Sequence, residues 1–370
     1  MMNALSILFS DNYRRDDLSG LTRRRTLSAL PIGSRYRLVD FMLSSLVKAG
    51  VPNIGMLVNQ NYNSLVDHLG WGKDWDLNRK NSGLKIITPM VNDLGKTVAI
   101  NKFDSLGNSL FYLNEVLQEY VILADSNIIA NVDFRDMLKY HIETNADITV
   151  AYSYRQPSEK DSQIIFDERG RVYDSLYRMN GHDEVVPTQL KIHILHRDKY
   201  KEIIEKGLTL GWEDLMRDYI SKNYNKLNVY AYEVKGYSKV INNINDYYSF
   251  NMDLLNDNVR EELFLSGTEI LTRVKDSVPS FYGENSKVSN SVLADGCIIH
   301  GTVENSVISR DVIIEEGAVV KNSIIMTKCV IKKDSVIEYT IMDRYSTASE
   351  GVKVSGTETA PYIVNKEITI

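Results

Sequence analysis

The chain has 370 residues, of which 43% are hydrophobic and 25% charged, a composition that fits a folded globular protein and excludes a disordered one. A single hydrophobic core stops growing at roughly 250–300 residues, so two domains are expected. The net charge of −6 argues against a dedicated nucleic-acid binder. The two cysteines, Cys297 and Cys329, exclude a disulfide scaffold and a cysteine-built zinc site and point to a reducing, cytosolic compartment.

The first apolar run, Ala4–Phe9, reads as a buried strand and is too short for a signal-peptide core. Ser10–Arg25 follows it as a loop. Val39, Leu43, Leu46 and Val47 share one face of a helix that Gly50 is placed to end. Ile54–Val58 reads as a second strand. Leu110, Leu113, Val116 and Leu117 repeat the helical spacing, Tyr120–Ala124 is again strand-like, and Phe134, Met137, Leu138 and His141 form another helical face before the strand Ile148–Tyr152. Strands alternating with helices predict an α/β domain, with a mostly parallel sheet, over residues 1–255. Ligands of such sheets bind beyond the carboxyl ends of the strands, which directs attention to Ser10–Arg25 and Asp125–Asp133. No run approaches the ~18 apolar residues of a membrane span.

Residues 256–285 read as a connector, helical as far as Glu262 and then broken at Ser277-Val278-Pro279. From residue 286 to 370 the texture changes. Val307, Ile313, Val319, Ile325, Ile331 and Ile337 recur every six residues, with a second lane at Val312, Ala318, Ile324, Val330 and Val336 and small residues at Gly317, Ser323, Cys329 and Ser335. Neither a helix nor a flat strand uses a period of six; a triangular left-handed β-helix does, with one side per six residues and the large aliphatic lane pointing inward. The stretch Val288–Val303 fits with a one-residue slip. A solenoid of this kind is a docking body, or an acyltransferase if its coils carry a catalytic histidine; the only candidate is His300, which reads more simply as a solvated side chain.

Three further stretches carry a resemblance. His68-Leu69-Gly70-Trp71-Gly72 with Trp75-Asp76-Leu77-Asn78-Arg79 is similar to HIGxGxxWDLDR; Pro31–Phe41 is similar to PxxGGKYRIIDF; and Gly236-Tyr237, leading to Asn251-Met252-Asp253-Leu254-Leu255, is similar to GYWxDVGTIxxYxxANMDLL. Taken in chain order they resemble the bacterial glucose-1-phosphate adenylyltransferases (ADP-glucose pyrophosphorylases) over essentially the whole chain. The resemblance implies a nucleotidyltransferase domain followed by a left-handed β-helix. It implies formation of ADP-glucose from ATP and glucose 1-phosphate, with Mg²⁺ held by carboxylates and glycine amides cradling the triphosphate.

Set against that family, the reactive positions are replaced. The loop GGxGxRLxxLTxxRAKPAxP corresponds to Ser10–Pro31, where Leu21, Thr22 and Arg25 survive, the glycines are gone, and Asp11, Asp16 and Asp17 add negative charge. Leu27 holds the catalytic lysine position and Ser28 its proline. One metal aspartate falls on Asn127 and the other on Val240, and neither side chain suits a hard divalent cation. The sugar-phosphate motif FxEKP is reduced to Ser175–Met179, with Arg178 keeping its charge, and SMGIY becomes Gln189-Leu190-Lys191-Ile192-His193. The resemblance is therefore to a GlgD-type regulatory subunit, with no cofactor of its own, which pairs in a heterotetramer with a catalytic subunit that uses Mg²⁺. An active adenylyltransferase drawing on Asp125 and Asp133 is the alternative.

Arg14, Arg15, Arg23, Arg24, Arg25, Arg35 and Arg37 form a local basic concentration. It reads either as a solvated face balanced by Asp16 and Asp17 or as an anion site. Arg35 stands where the family has a lysine for a phosphorylated activator, so Arg35, Arg37 and Arg25 are the candidate effector ligands. Trp71 and Trp75 are expected to pack the domain rather than stack on a base.

Overall fold

In the computed structural model, residues 2–11, 18–80, 82–89, 101–158, 161–177, 184–265 and 269–370 are described. The elements begin with β1 (Ala4–Phe9), a hairpin of β2 (Pro31–Ile32) and β3 (Tyr36–Arg37), and α1 (Leu38–Ala49). Next come β4 (Asn53–Leu57), α2 (Asn63–Leu69), β5 (Gly83–Ile87), α3 (Lys102–Leu113), β6 (Tyr120–Asp125), β7 (Ile128–Ala130) and α4 (Phe134–Glu143). They are followed by β8 (Ile148–Arg155), β9 (Ser162–Phe166), β10 (Val172–Tyr177), β11 (Val186–His196), α5 (Arg197–Leu210), β12 (Val229–Glu233) and β13 (Ser238–Val240). The helices α6 (Ile244–Asp253) and α7 (Asp257–Arg260) precede the solenoid.

Two compact units result. The first comprises Met1–Tyr13 and Phe41–Val240, the second Arg14–Asp40 and Ile241–Ile370. This differs from a division at residues 255 and 286. Residues far apart in sequence tie the second unit together: Arg25 donates twice to Asp343, the Gly33 amide donates to the Asn251 side chain at 3.0 Å, and the Tyr247 hydroxyl donates to the Pro31 carbonyl at 2.8 Å.

In the first unit, β10, β9, β11, β6, β1, β4 and β5 lie side by side, with β8 and β12 attached through β11. The pairs β1–β4, β1–β6, β4–β5 and β8–β12 are parallel, while β11 runs against β6, β8 and β9. Only β10 and β11 oppose the common direction, so the mostly parallel α/β expectation holds. Gly50 ends α1 at a φ of +79°, a conformation in which only glycine is unstrained. The predicted helix through Val116 and Leu117 stops earlier, at Leu113. Val116 is buried beyond it, and Leu117 is exposed. Trp75 is fully buried edge-on to His68, as expected, whereas Trp71 is 82% exposed, against the expectation that it packs the domain.

In the second unit, three parallel sheets of short strands form the coils of a left-handed β-helix, beginning at Phe281 rather than at residue 286. Asn305, Asp311, Asn322 and Asp334 turn its corners at positive φ, which Asn and Asp tolerate best among residues with a side chain. Fifteen residues separate Lys287 from its partner Thr302, and seventeen separate Thr302 from Val319. A coil of seventeen has one side a residue short, so a strict period of six slides across the wall. The inward column is Val303, Ile308, Ile314, Val320, Ile325, Ile331, Ile337, Met342 and Ala348. The predicted lane meets it only at Ile325, Ile331 and Ile337. Val312, Ala318, Cys297 and Cys329 also belong to this core.

Candidate functional site

The carboxyl ends of β1 and β6 face the same way and are in register, Phe9 beside Asp125. The chain then turns sharply, because Ser126 donates both its amide, at 3.1 Å, and its hydroxyl, at 2.6 Å, to the Phe9 carbonyl. The turn leads through buried Asn127 into β7, which pairs antiparallel with β13 so that Ile128 lies opposite Val240. The fold thus still brings Asn127 and Val240 to one place, the two positions where the family resemblance calls for metal-binding aspartates. An amide and a buried isopropyl group stand there instead. A hard divalent cation needs oxygen ligands, preferably charged, and these two positions supply none that is charged. Among the described residues no group of three or more His, Cys, Asp or Glu side chains could hold a metal. Mg²⁺ does not fit this site.

The acids offered by the alternative reading are engaged elsewhere. Asp133 caps α4, its Oδ1 accepting the amides of Arg135 and Asp136 at 3.0 and 3.1 Å. Asp125 is buried and ion-paired with the Lys102 ammonium, which also lies 4.2 Å from the centre of the Phe9 ring. Lys102 opens α3, immediately after the capping box formed by Asn101 and Asp104.

Around this pair sit charges that one-dimensional reading left unassigned. Lys191, at the glycine position of SMGIY, adopts a φ of +54° where β11 slips register between Gln189 and His193. Burial lowers its pKa, Asp125 opposes that, and Lys102 adds to it; Asp161 and Asp214 also act on it. His193 is buried, shares a 2.8 Å hydrogen bond with the Gln189 amide, and has its pKa pushed down to about 4 by burial and by Lys102. Arg155 donates to buried Asp161 at 2.6 Å. Arg178, together with Arg14, Arg15, Asp16 and Asp17, lies outside the described residues.

In the second unit, Leu27 is buried within a short 3-10 turn, an apolar core residue at the catalytic lysine position. Arg25 does not offer its guanidinium to a ligand. It is 2% exposed, and its Nη2 contacts both Asp343 oxygens, at 2.7 and 2.6 Å, so a phosphate would have to displace a carboxylate already held in place. Arg37 is half-buried, and its pKa falls to about 10 through burial, with Arg344, Arg25 and Arg273 reinforcing the effect. Arg310 is lowered by burial and then by Arg35, against Asp295 and Asp311; Arg344 by burial and then by Arg25, against Asp343; and Lys275 by burial and then by Arg37, Arg310, Arg273 and Arg344, while Asp40 opposes the fall at Arg37. Arg35 is exposed, with its guanidinium carbon 5.7 Å from the centre of the Tyr36 ring. Arg273, Lys275, Arg310 and Arg344 escaped the sequence reading because they are scattered singly through the connector and solenoid. Folding collects them beside Arg35 and Arg37. Cations that lower one another's pKa form a site where an anion relieves repulsion. His300, the acyltransferase candidate, is exposed and rests against Phe281, with ring centres 5.6 Å apart.

Residues 16–174 match the nucleotidyl transferase family, and residues 277–360 match the GlmU-like C-terminal hexapeptide family. The glycogen biosynthesis protein GlgD of Bacillus subtilis is 30% identical over 362 residues, covering 98% of this chain and 95% of that protein. GlgD of Geobacillus stearothermophilus is 35% identical over 307 residues, covering 82% and 79% respectively. The glucose-1-phosphate adenylyltransferase of Bacillus mycoides is 28% identical over 349 residues, covering 90% of each chain. A nucleotidyltransferase body, a hexapeptide solenoid and near full-length similarity to these proteins show that the chain belongs to the GlgD and glucose-1-phosphate adenylyltransferase family.

Proposed function

We propose that this chain is a regulatory, catalytically impaired subunit of glucose-1-phosphate adenylyltransferase in glycogen biosynthesis, which assembles with a catalytic subunit and raises its activity. One observation carries the reading: the fold keeps β7 and β13 paired around the metal positions, while Asn127 and Val240 fill them with groups that cannot replace carboxylates. Mg²⁺ and the adenylyl transfer to glucose 1-phosphate then belong to the partner. Phosphoryl-type transfer depends on positioning and charge neutralisation, and losing one such group commonly costs about 10²–10³ in rate. The active-enzyme alternative loses support because Asp133 caps a helix and Asp125 is already paired.

The test is pyrophosphate release from ATP and glucose 1-phosphate by the chain alone, by a catalytic subunit alone and by their mixture. The chain alone should turn over at least about 10² times more slowly than the catalytic subunit. The mixture should exceed the catalytic subunit alone. Full turnover by the isolated chain, or a mixture no faster than its catalytic member, overturns the proposal.

Within the same reading, the basic cluster of the second unit is an effector site for a phosphorylated sugar. Arg35 and Arg37 are its ligands and Arg25 is its structural floor. Arg forks bind phosphate bidentately, and exposed Arg35 is positioned to do so without breaking an internal ion pair. Replacing Arg35 by Ala is expected to weaken the response of the assembled enzyme to sugar-phosphate activators by about tenfold, the scale of one lost charge-assisted contact. An activation curve unchanged by Arg35→Ala assigns the effector elsewhere.

A further inference from the structure

Opposed charges gather at the carboxyl end of β6. Asp125 is ion-paired with Lys102, Asp161 with Arg155, and Lys191 lies within the fields of Asp125, Asp161 and Asp214. Asp125 therefore lies among cations that already oppose its charge. The place of Lys102 is not set by local preference. As the first residue of α3 it puts an ammonium at the helix N-terminus, where the macrodipole disfavours a cation. Tertiary contacts hold it there: the Asp125 carboxylate on one side and the Phe9 ring on the other. Both come from strands of the parallel sheet, at its carboxyl edge.

We infer that Lys102 is a built-in substitute for the divalent cation: its ammonium occupies Asp125, the carboxylate that closes β6 two residues before Asn127. A Mg²⁺ ion entering here would have to displace a half-buried ammonium from its buried carboxylate. In return it would gain one carboxylate, an amide and no ligand from Val240. Mg²⁺ dehydrates reluctantly and does not make that exchange. Loss of catalysis in this chain is then more than deleted ligands, because the carboxylate two residues before the Asn127 position has been given a different cation. The inference rests on the reading of this site as catalytically impaired and extends it to a specific residue.

Mn²⁺ binding to the full chain, followed by electron paramagnetic resonance, tests it without a partner subunit or turnover. The unaltered chain is expected to show no Mn²⁺ site tighter than about 1 mM. Lys102→Met keeps the length and apolar stem but removes the charge, and should tighten Mn²⁺ binding at least about tenfold. Adding Asp125→Asn to it should return binding to the original level. A stoichiometric Mn²⁺ site in the unaltered chain that Asp125→Asn abolishes overturns the inference, as does a folded Lys102→Met chain with no gain. If Lys102→Met does not fold, the thermal midpoint decides: Mg²⁺ should leave that of the unaltered chain unmoved, and a Mg²⁺-dependent rise that Asp125→Asn removes overturns the inference. Neither result touches assembly, so a mixture without activation and a chain that binds Mn²⁺ are separate failures.

Discussion

Replacing Arg25 by Met should destabilise the second unit by about 3–5 kcal/mol, because it strands a carboxylate that has almost no access to water. The side chains of Arg25 and Asp343 are 2% and 1% exposed, and they meet at 2.6–2.7 Å. Once the guanidinium is gone, Asp343 keeps the Arg344 amide, which donates to its Oδ1 at 2.7 Å. Asp343→Ala should be at least as harmful, since it leaves Arg25 buried close to Arg37 and Arg344. The double change Arg25→Met with Asp343→Leu should recover most of the loss, because an apolar pair of similar volume costs nothing to desolvate. The two units need separate probes. Trp71, Trp75 and Trp212 all lie in the first unit, so fluorescence reports that one, while amide exchange over residues 281–364 reports the solenoid. A loss below about 1 kcal/mol, the level of an exposed ion pair, would show that the buried geometry is wrong.

The same pair marks the limit of what is legible in one dimension. Arg25 sits in a run of arginines, and every local argument groups it with Arg35 and Arg37 as an anion ligand. Its partner lies 318 residues away in a solenoid corner, and no spacing rule connects the two. The assignment of residues 14–40 to the second unit was hidden for this reason. The repeats were readable because a solenoid is stabilised by neighbours in sequence, so its period is written into the chain. Its phase was not, since the short sides that bring the coils to fifteen or seventeen residues break the period of six. At the candidate site the lost groups could be read as Leu27, Asn127 and Val240, because a missing charge shows in the residue type. What filled the space could not. Lys102 belongs to a helix and Lys191 to a register slip, and only the three-dimensional convergence of β1, β6 and β11 with α3 makes them partners of Asp125.

Between pH 6.5 and pH 4 the first unit should lose stability steeply, with His141 and His193 as the cause. Both are buried, and burial pushes both pKa values from 6.5 to about 4. The unfolded chain therefore takes up these protons at a higher pH than the folded one. Wherever the unfolded state binds more protons, stability rises with pH. The contribution is complete above pH 6.5 and shrinks as pH falls towards 4. A shift of roughly 2.5 units corresponds to about 3 kcal/mol for each residue, and the two lie in separate surroundings: His141 shares a hydrogen bond with Thr149 at 2.8 Å, His193 with Gln189. Asp218, held well below its usual value by Arg217, loses its contribution only as pH falls below about 4. The measurement is the urea midpoint of tryptophan fluorescence at half-unit steps from pH 7.5 to 4.5, for the unaltered chain and for His193→Gln. Removing His193 should lower stability at pH 7.5 and flatten the acid slope by about half. His141 and His193 ring resonances titrating near pH 6.5 in the folded chain would contradict both the burial and its consequence.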